Sequence, residues 1–233
     1  MSQPAPARAL RPGARLTETA ASTHLVLVRH GEADCNARGI VGGHRGCRGL
    51  SPLGVAQAEA LRARWEATGE MRQASAFYAS VLPRAIETAE IIAPALGDLD
   101  LTTDCDLCEL HPGESDGMTW EEFARVYPRP DFALDPDRPL SPGGESWSGF
   151  LQRVNTTLRS VADRHDGETV VVACHGGVVN ASLVAFLGLA HDGTRLDLRT
   201  RNTSITEWER EDGRWRLLRY NDSAHLATVP ALD

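Results

Sequence analysis

Two short apolar segments, each running directly into a histidine and a glycine, constrain the fold of this chain more than any other feature. Residues 24–28 (HLVLV) precede Arg29-His30-Gly31, and residues 169–174 (TVVVAC) precede His175-Gly176-Gly177. Short, β-branched apolar runs are typical of strands buried on both faces of a parallel sheet. Both histidines are therefore predicted to follow buried strands.

Helical patterns alternate with the predicted strands. Ser51 and Pro52 suit an N-cap and a first helical position, and apolar residues then recur at helical spacing until Gly69. Thr119 and Glu122 form the pattern of a capping box at the start of another helix. The other predicted helices cover 83–96, about 145–165 and the segment after His175 to 187, and the other predicted strands cover 75–80, 99–103, 202–209 and 214–220.

This alternation predicts an α/β fold, a three-layer sandwich with a mostly parallel central sheet flanked by helices. Residues 105–147 are rich in Pro, Gly and Asp, and we expect them to form an irregular cap segment inserted into the domain. Residues 1–22 contain prolines and glycine that interrupt any pattern, and they predict a flexible N-terminal arm. Residues 23–233 are expected to form a single domain.

The composition excludes several classes of protein. The 24 basic and 32 acidic residues give a formal net charge of −8, which argues against nucleic-acid partners and polybasic membrane binding. No apolar run approaches the roughly 20 residues of a membrane helix, and the first residues lack the apolar region of a signal peptide. Five cysteines, an odd number, fit a reducing compartment, so we expect a cytoplasmic protein.

Charged side chains accompany the two histidines at the predicted strand ends. Arg29 precedes His30, and Arg84 follows the predicted strand 75–80. Because ligands of open α/β sheets bind beyond the carboxyl ends of the strands, these side chains and His175 are expected to converge on one crevice. Two forked guanidinium groups beside two imidazoles indicate an anion site suited to phosphate.

The chain resembles the histidine phosphatase superfamily, in its phosphoglycerate-mutase-like branch. The resemblance covers about residues 24–220. It is carried by motifs in the family order, which are 27–32 (LVRHGE) with Asn36, 51–54 (SPLG), 80–89 (SVLPRAIETA), 107–110 (LCEL), 117–122 (GMTWEE), 142–146 (PGGES), 172–177 (VACHGG) and 202–205 (NTSI).

The resemblance implies a role for each residue of the crevice. His30 is the expected nucleophile, whose neutral ring attacks phosphorus to give a phosphohistidine. Arg29, Arg84 and His175 are expected to bind the phosphate oxygens and to stabilise the charge that develops on them. Asn36 is a further phosphate-binding candidate, although a turn-stabilising role is an equal alternative.

The resemblance also implies a general acid, and Glu109 is the candidate. Its carboxyl would protonate the leaving oxygen and would then, as a carboxylate, activate the attacking water. Glu114, Asp116 and Glu32 are competing carboxylates in nearby motifs. Where the family often has an acidic-aromatic pair, this chain has Glu114-Ser115-Asp116, which leaves the cap geometry open.

Three functions of different classes are open from the sequence. The leading one is a phosphomonoester hydrolase, acting through the phosphohistidine on a small phosphorylated metabolite. The second is a phosphoglycerate mutase, which is disfavoured because residues 35–36 (CN), 42–45 (GGHR) and 111–113 (HPG) depart from the mutase motifs. The third is a non-catalytic phosphate-binding regulatory module, which is disfavoured because the expected catalytic residues are all present.

The loop after the nucleophile carries potential cations in an otherwise acidic protein. We expect His44, Arg45 and Arg48 to reach a second anionic group on the substrate, with solvated or ion-paired side chains as the alternative. No step of the mechanism requires a metal or a cofactor. The expected partner is a small phosphorylated substrate, with no nucleic acid and no membrane, and the sequence does not decide between a monomer and a homodimer.

Cys105 and Cys108 form a Cys-x-x-Cys pair just before Glu109. No second ligand pair at zinc-finger spacing accompanies them along the chain, so no metal site is expected. Two incidental thiols are the favoured interpretation, with a thiol switch as the alternative.

Overall fold

The computed structural model describes residues 21–97, 99–128, 130–189 and 198–229. Most of the expected N-terminal arm, residues 1–20, lies outside this part of the chain. The strands are β1 (Thr23–Arg29), β2 (Ala74–Ser80), β3 (Leu101–Asp104), β4 (Thr169–Cys174), β5 (Ile205–Glu211) and β6 (Arg214–Asp222). The α-helices are α1 (Asp34–Ala37), α2 (Pro52–Thr68), α3 (Pro83–Ile92), α4 (Trp120–Val126), α5 (Trp147–Arg164) and α6 (Gly176–Leu187).

The described strands form one six-stranded sheet in the order β3-β2-β4-β1-β5-β6. The first four strands are parallel to their neighbours, and the β5–β6 hairpin joins β1 in antiparallel orientation. In the register of β1 and β4, Arg29 lies opposite Cys174. His30 and His175 therefore leave the sheet side by side, at two neighbouring strand ends.

Helices cover both faces of the sheet, which confirms the three-layer architecture. Alternate residues of β1 point to opposite faces because side chains alternate along a strand. Leu25 and Leu27 pack in a core that includes Phe150 of α5 and Val178 of α6. Their neighbours Val26 and Val28 pack in a second core with residues of α2 and α3 that include Leu61, Trp65, Ala89 and Ile92.

Local sequence signals set the helix ends. The side chain of Ser51 accepts a hydrogen bond from the amide of Gly54 at 3.0 Å, and α2 ends at Gly69, whose φ of 68° favours glycine. The capping box of Thr119 and Glu122 is confirmed at the start of α4. α5 begins at Trp147 rather than near 145, because Ser146 is its N-cap and accepts from the amide of Gly149.

The cap segment is irregular, as predicted, with α4 and two 3₁₀ turns, Cys105–Leu107 and Gly113–Ser115. The predicted strand from 202 begins only at Ile205, because Thr203 has a φ of 54° and turns the chain towards β1. Among the helices that the structure describes, none has both the length and the apolarity needed to cross a membrane.

Candidate active site

His30 is buried at the end of β1, with its ring oriented by the backbone. The Nδ1 atom lies 2.6 Å from the carbonyl oxygen of Gly31. Since a carbonyl oxygen only accepts, Nδ1 carries the proton and Nε2 holds a lone pair. Arg84 Nε donates to that Nε2 atom at 3.0 Å. The lone pair of His30 therefore faces the guanidinium of Arg84, one of the predicted phosphate-binding residues.

The surroundings of His30 keep its ring neutral. Burial, followed by the positive charges of Arg84 and Arg29, holds the pKa of His30 well below its ordinary value. Only the neutral ring has a lone pair with which to attack phosphorus. The nucleophilic form is thus the ordinary form of His30 at neutral pH.

Two guanidinium groups are fixed beside this ring by backbone carbonyls. Arg84, at the start of α3, donates through Nη1 to the carbonyl of Gly42 at 2.8 Å. Arg29, at the end of β1, donates through Nη1 to the carbonyl of Thr200. Arg84 is held through both Nε and Nη1, whereas the Nε of Arg29 has no partner among the described residues. Several N–H groups therefore remain to bind an anion.

His175 lies at the N-cap position of α6 with its ring behind that of His30. The ring centroids are 5.1 Å apart at an angle of 60°, and the His175 side chain is fully buried. Burial, followed by the charges of Arg84 and other nearby groups, holds the pKa of His175 well below its ordinary value. Neither ring nitrogen of His175 has a partner among the described residues. Because buried polar atoms are normally paired, these nitrogens indicate a ligand-binding role.

The side chain of Glu109, from the cap segment, reaches the N-terminus of α6. Its carboxylate accepts from the amide of Gly177 at 2.9 Å and from the amide of Leu110 at 3.1 Å. A Cβ atom at position 177 would lie 2.0 Å from the Glu109 Oε1 atom, so this approach requires glycine. The structure thus places Glu109 in the same pocket as His30, Arg29 and Arg84.

An ion pair behind the pocket holds the chain that carries Glu109. Arg153 of α5 forms a two-point pair with Glu145, at 2.9 and 2.6 Å. The same guanidinium donates to the carbonyls of Asp106 and Cys108, at 2.9 and 3.0 Å. Arg153 is a positioning residue that the sequence analysis missed, since nothing in its local sequence marks it.

Two further residues hold the backbone at His30 and Gly31 in place. Asn202 donates to the carbonyl of His30 at 3.0 Å, and the hydroxyl of Thr88 accepts from the amide of Gly31 at 3.0 Å. Both residues lie in motifs that carry the family resemblance, but the backbone atoms that they contact are distant in the sequence. Sequence order alone did not assign these roles.

The competing carboxylates have structural partners outside the pocket lining. Glu32 accepts from the hydroxyl of Ser51 at 2.8 Å, and Asp116 accepts from the amides of Gly43 and Gly46. Glu114 accepts from the hydroxyl of Tyr127 at 2.9 Å. Among the described residues that line the pocket, Glu109 is the only acidic one.

The pocket has a volume of about 310 Å³ and changes character between its inner end and its mouth. Asn36 lies at the mouth as an exposed side chain, and among the described lining residues the only arginines are Arg29 and Arg84. The rest of the mouth is apolar and aromatic, formed by Ile40, Leu110, Pro112, Trp120, Phe132, Leu140 and Trp147.

The structure does not bring His44, Arg45 or Arg48 to the lining of this pocket. All three are exposed. Arg45 instead donates to the carbonyls of Gly113 and Glu114 at 3.3 Å and lies 3.9 Å from the carboxylate of Asp116. The loop turns towards the cap segment, and its recognition of a second anion stays a prediction.

The fold and the site define a phosphate-handling α/β enzyme, and comparison with known proteins agrees. The profile of the histidine phosphatase superfamily (branch 1) matches residues 25–223. The chain is 34% identical over 206 residues to phosphoglycerate mutase-like protein 4 of Arabidopsis thaliana, covering 87% of this chain and 86% of that protein. It is 32% identical over 210 residues to the metal-independent phosphoserine phosphatase of Arabidopsis thaliana, covering 89% and 84%.

A solved structure agrees with these relatives. The phosphoserine phosphatase of Entamoeba histolytica, in complex with 3-phosphoglyceric acid, matches with a TM-score of 0.73 and 25% identity, covering 88% of this chain and 99% of that one. The chain belongs to the histidine phosphatase superfamily. The resemblance stated from the motifs is confirmed, as is the interpretation of the chain as a phosphatase.

Proposed function

We propose that this protein hydrolyses small phosphomonoesters through a phosphohistidine formed at Nε2 of His30. The observation that carries this proposal is the state of the His30 ring. Its Nδ1 donates to the carbonyl of Gly31, and its Nε2 lone pair accepts a hydrogen bond from Nε of Arg84. A neutral imidazole pinned in this way is a nucleophile with its phosphate-binding partner already in position.

In the first step, Nε2 attacks phosphorus and the bond from phosphorus to the ester oxygen breaks. The incoming phosphoryl group replaces Nε2 as the partner of Arg84, so that Arg84, Arg29 and His175 bind its oxygens. Glu109 gives its proton to the departing oxygen, which leaves as the alcohol.

In the second step, water attacks the phosphohistidine. Glu109, now a carboxylate, takes a proton from that water, the bond from phosphorus to Nε2 breaks, and inorganic phosphate leaves. The cycle returns both side chains to their starting states. The two arginines neutralise the phosphate charge throughout and the neutral ring of His175 donates a hydrogen bond, so no step needs a metal at the phosphate.

The mouth of the pocket favours a hydrolase over a phosphoglycerate mutase. A mutase must hold a substrate that carries a carboxylate and two phosphate positions, and burying those anions requires paired cations. Beyond the inner end, the described lining has aromatic and aliphatic side chains and no further arginine or lysine. We propose that the organic part of the substrate is largely apolar.

The relatives supply the comparison substrates for a test of this proposal. The Arabidopsis relative is a phosphoserine phosphatase, and the Entamoeba structure contains 3-phosphoglyceric acid. We expect phosphate release from 3-phenylpropyl phosphate to show a kcat/KM about tenfold above that from phosphoserine or 3-phosphoglycerate. A preference for the two acids would contradict the apolar assignment. Formation of 2-phosphoglycerate without phosphate release would favour the mutase.

The phosphohistidine is tested by trapping, because a phosphoryl group on histidine survives in base and is lost in acid. Rapid mixing with a labelled ester and quenching in base should leave label on the wild-type chain and none on His30→Ala. His165→Ala is the matched control, because His165 contacts Tyr78 and Glu168 outside the pocket and should label as wild type does. Equal labelling of His30→Ala would overturn the proposal.

A further inference from the structure

The Cys-x-x-Cys pair acquires two histidines in the folded protein. Cys105 and Cys108 lie at and just beyond a 3₁₀ turn that follows β3, and His44 and His111 approach them from the nucleophile loop and the acid segment. His44 is 61 positions before Cys105, so no spacing rule along the chain reveals this second ligand pair. The four potential ligand atoms all lie within 4.8 Å of one another.

The individual distances match a tetrahedral site. The sulfur atoms of Cys105 and Cys108 are 3.8 Å apart, and the Cys105 sulfur is 3.8 Å from His44 Nε2 and 4.0 Å from His111 Nε2. Thiolates at about 2.3 Å from a tetrahedral zinc are themselves about 3.8 Å apart, and a thiolate and an imidazole nitrogen about 3.5 Å apart. For these three pairs the difference is a few tenths of an ångström.

We propose that Cys105, Cys108, His44 and His111 bind one Zn²⁺ ion in a structural Cys₂His₂ site. Two thiolates and two imidazoles form a closed tetrahedral set for which zinc is the preferred divalent ion. On binding, each thiol gives up its proton and forms a sulfur–zinc bond, so the apo protein releases two protons. This proposal replaces the expectation of two incidental thiols.

The location of the site indicates what a bound ion would do. Cys105, Cys108 and His111 surround Glu109 in sequence, and His44 belongs to the loop whose Gly42 carbonyl holds Arg84. A zinc ion would tie the segment bearing the acid to the segment bearing the phosphate site. The ligands are outside the pocket lining, so the reaction steps do not pass through the metal.

Access to the site differs between its two halves. Cys105 and His44 are exposed, so an ion can enter from solvent, whereas Cys108 is fully buried and its sulfur also accepts from the hydroxyl of Ser80 at 3.3 Å. This makes Cys105→Ser and His44→Ala the suitable variants. Both remove a ligand at the surface and leave the buried packing intact, whereas a Cys108 variant would also disturb the core.

The test measures metal directly. Reduced, metal-free protein is titrated with ZnCl₂ and with CoCl₂, and we expect one ion per chain, release of two protons, and intense tetrahedral cobalt bands with a thiolate charge-transfer band. Cys105→Ser and His44→Ala should each weaken binding about a hundredfold or more and abolish the rise in Tm that zinc produces in wild type. Cys47→Ser is the control, since Cys47 lies in the same loop as His44 but is not one of the four ligands, and it should bind as wild type does.

Substoichiometric zinc in the wild type, or unchanged zinc affinity in both ligand variants, would overturn the proposal. Equal loss of zinc in Cys47→Ser would do the same, because binding would then not depend on these four residues. A Cys105–Cys108 disulfide, found by mass spectrometry in protein kept under reducing conditions, would favour a thiol switch instead.

Discussion

The inner end of the pocket and its mouth are built by different means. At the inner end, His30, Arg29 and Arg84 are fixed by hydrogen bonds to backbone carbonyls at strand ends and a helix start. At the mouth, aromatic side chains pack on one another across the cap segment, as in the stacking of Phe132 on Trp147 at 6.0 Å. Backbone register thus positions the reacting groups, whereas side-chain packing shapes the space around the rest of the substrate.

The largest expected effect lies at the inner end. Arg84→Ala removes the charge that faces His30 Nε2, and we expect kcat/KM to fall by about a hundredfold or more for every ester, because this charge stabilises the transition state. Steady-state phosphate release measures the loss, with Arg38→Ala as an exposed-arginine control. A fall confined to some esters would show that Arg84 recognises the organic part of the substrate instead.

Glu109, the proposed general acid, lines the same pocket, and the effect of replacing it should depend on the leaving group. Glu109→Gln is expected to lower kcat about a hundredfold for alkyl phosphates and only a few-fold for 4-nitrophenyl phosphate, whose phenolate leaves without a proton. A plot of log kcat against leaving-group pKa, steeper in the variant than in wild type, checks this. Parallel plots would move the acid to another residue, despite the contact of Glu109 with Gly177.

A smaller effect is expected at the mouth. Trp120→Ala removes a half-exposed ring from the lining, and KM for 3-phenylpropyl phosphate should rise about tenfold while inhibition by inorganic phosphate is unchanged. Arg45→Ala is the matched control on the neighbouring loop. If Arg45→Ala changes KM and Trp120→Ala does not, charge rather than apolar contact selects the substrate.

The smallest expected effect is the dependence of the free energy of unfolding on pH. His30 and His175 have pKa values below the ordinary value of 6.5 in the folded chain, so below about pH 6.5 the unfolded chain binds more protons and stability falls as pH falls. Each ring contributes a slope of up to about 1.4 kcal/mol per pH unit. Urea unfolding between pH 7 and pH 5.5 should show a steeper decline for wild type than for His175→Asn, and equal slopes would contradict the burial of neutral rings.

The same contrast explains which parts of the site were predictable. The nucleophile, the two arginines and His175 adjoin strand ends or a helix start, where local patterns report both the element and the direction of the next side chain. The helix starts at Ser51 and Thr119 were predictable for the same reason, since capping is local chemistry. Asn202, Thr88 and Arg153 were not, because each acts on a backbone segment distant in sequence.

Two expectations depended on the path of a loop, which the local sequence does not report. Arg45 was expected at the pocket because it follows the nucleophile, yet its loop turns towards Gly113 and Asp116. Cys105 and Cys108 lacked a visible ligand pair because His44 is joined to them only by the fold. In both cases the position of the side chain depends on the path of a loop. That path is set by packing rather than by a periodic sequence pattern.

By itself, the sequence determined the α/β layering, the mostly parallel central sheet and the convergence of Arg29, His30 and Arg84 on one pocket. These follow from periodicity, capping and strand-end geometry, which act over a few residues. The tertiary structure alone decided the apolar mouth, the partners of Arg153 and the gathering of two cysteines with two histidines. Those features depend on contacts between distant segments, whose free energy is set by how the whole chain packs and not by any local pattern.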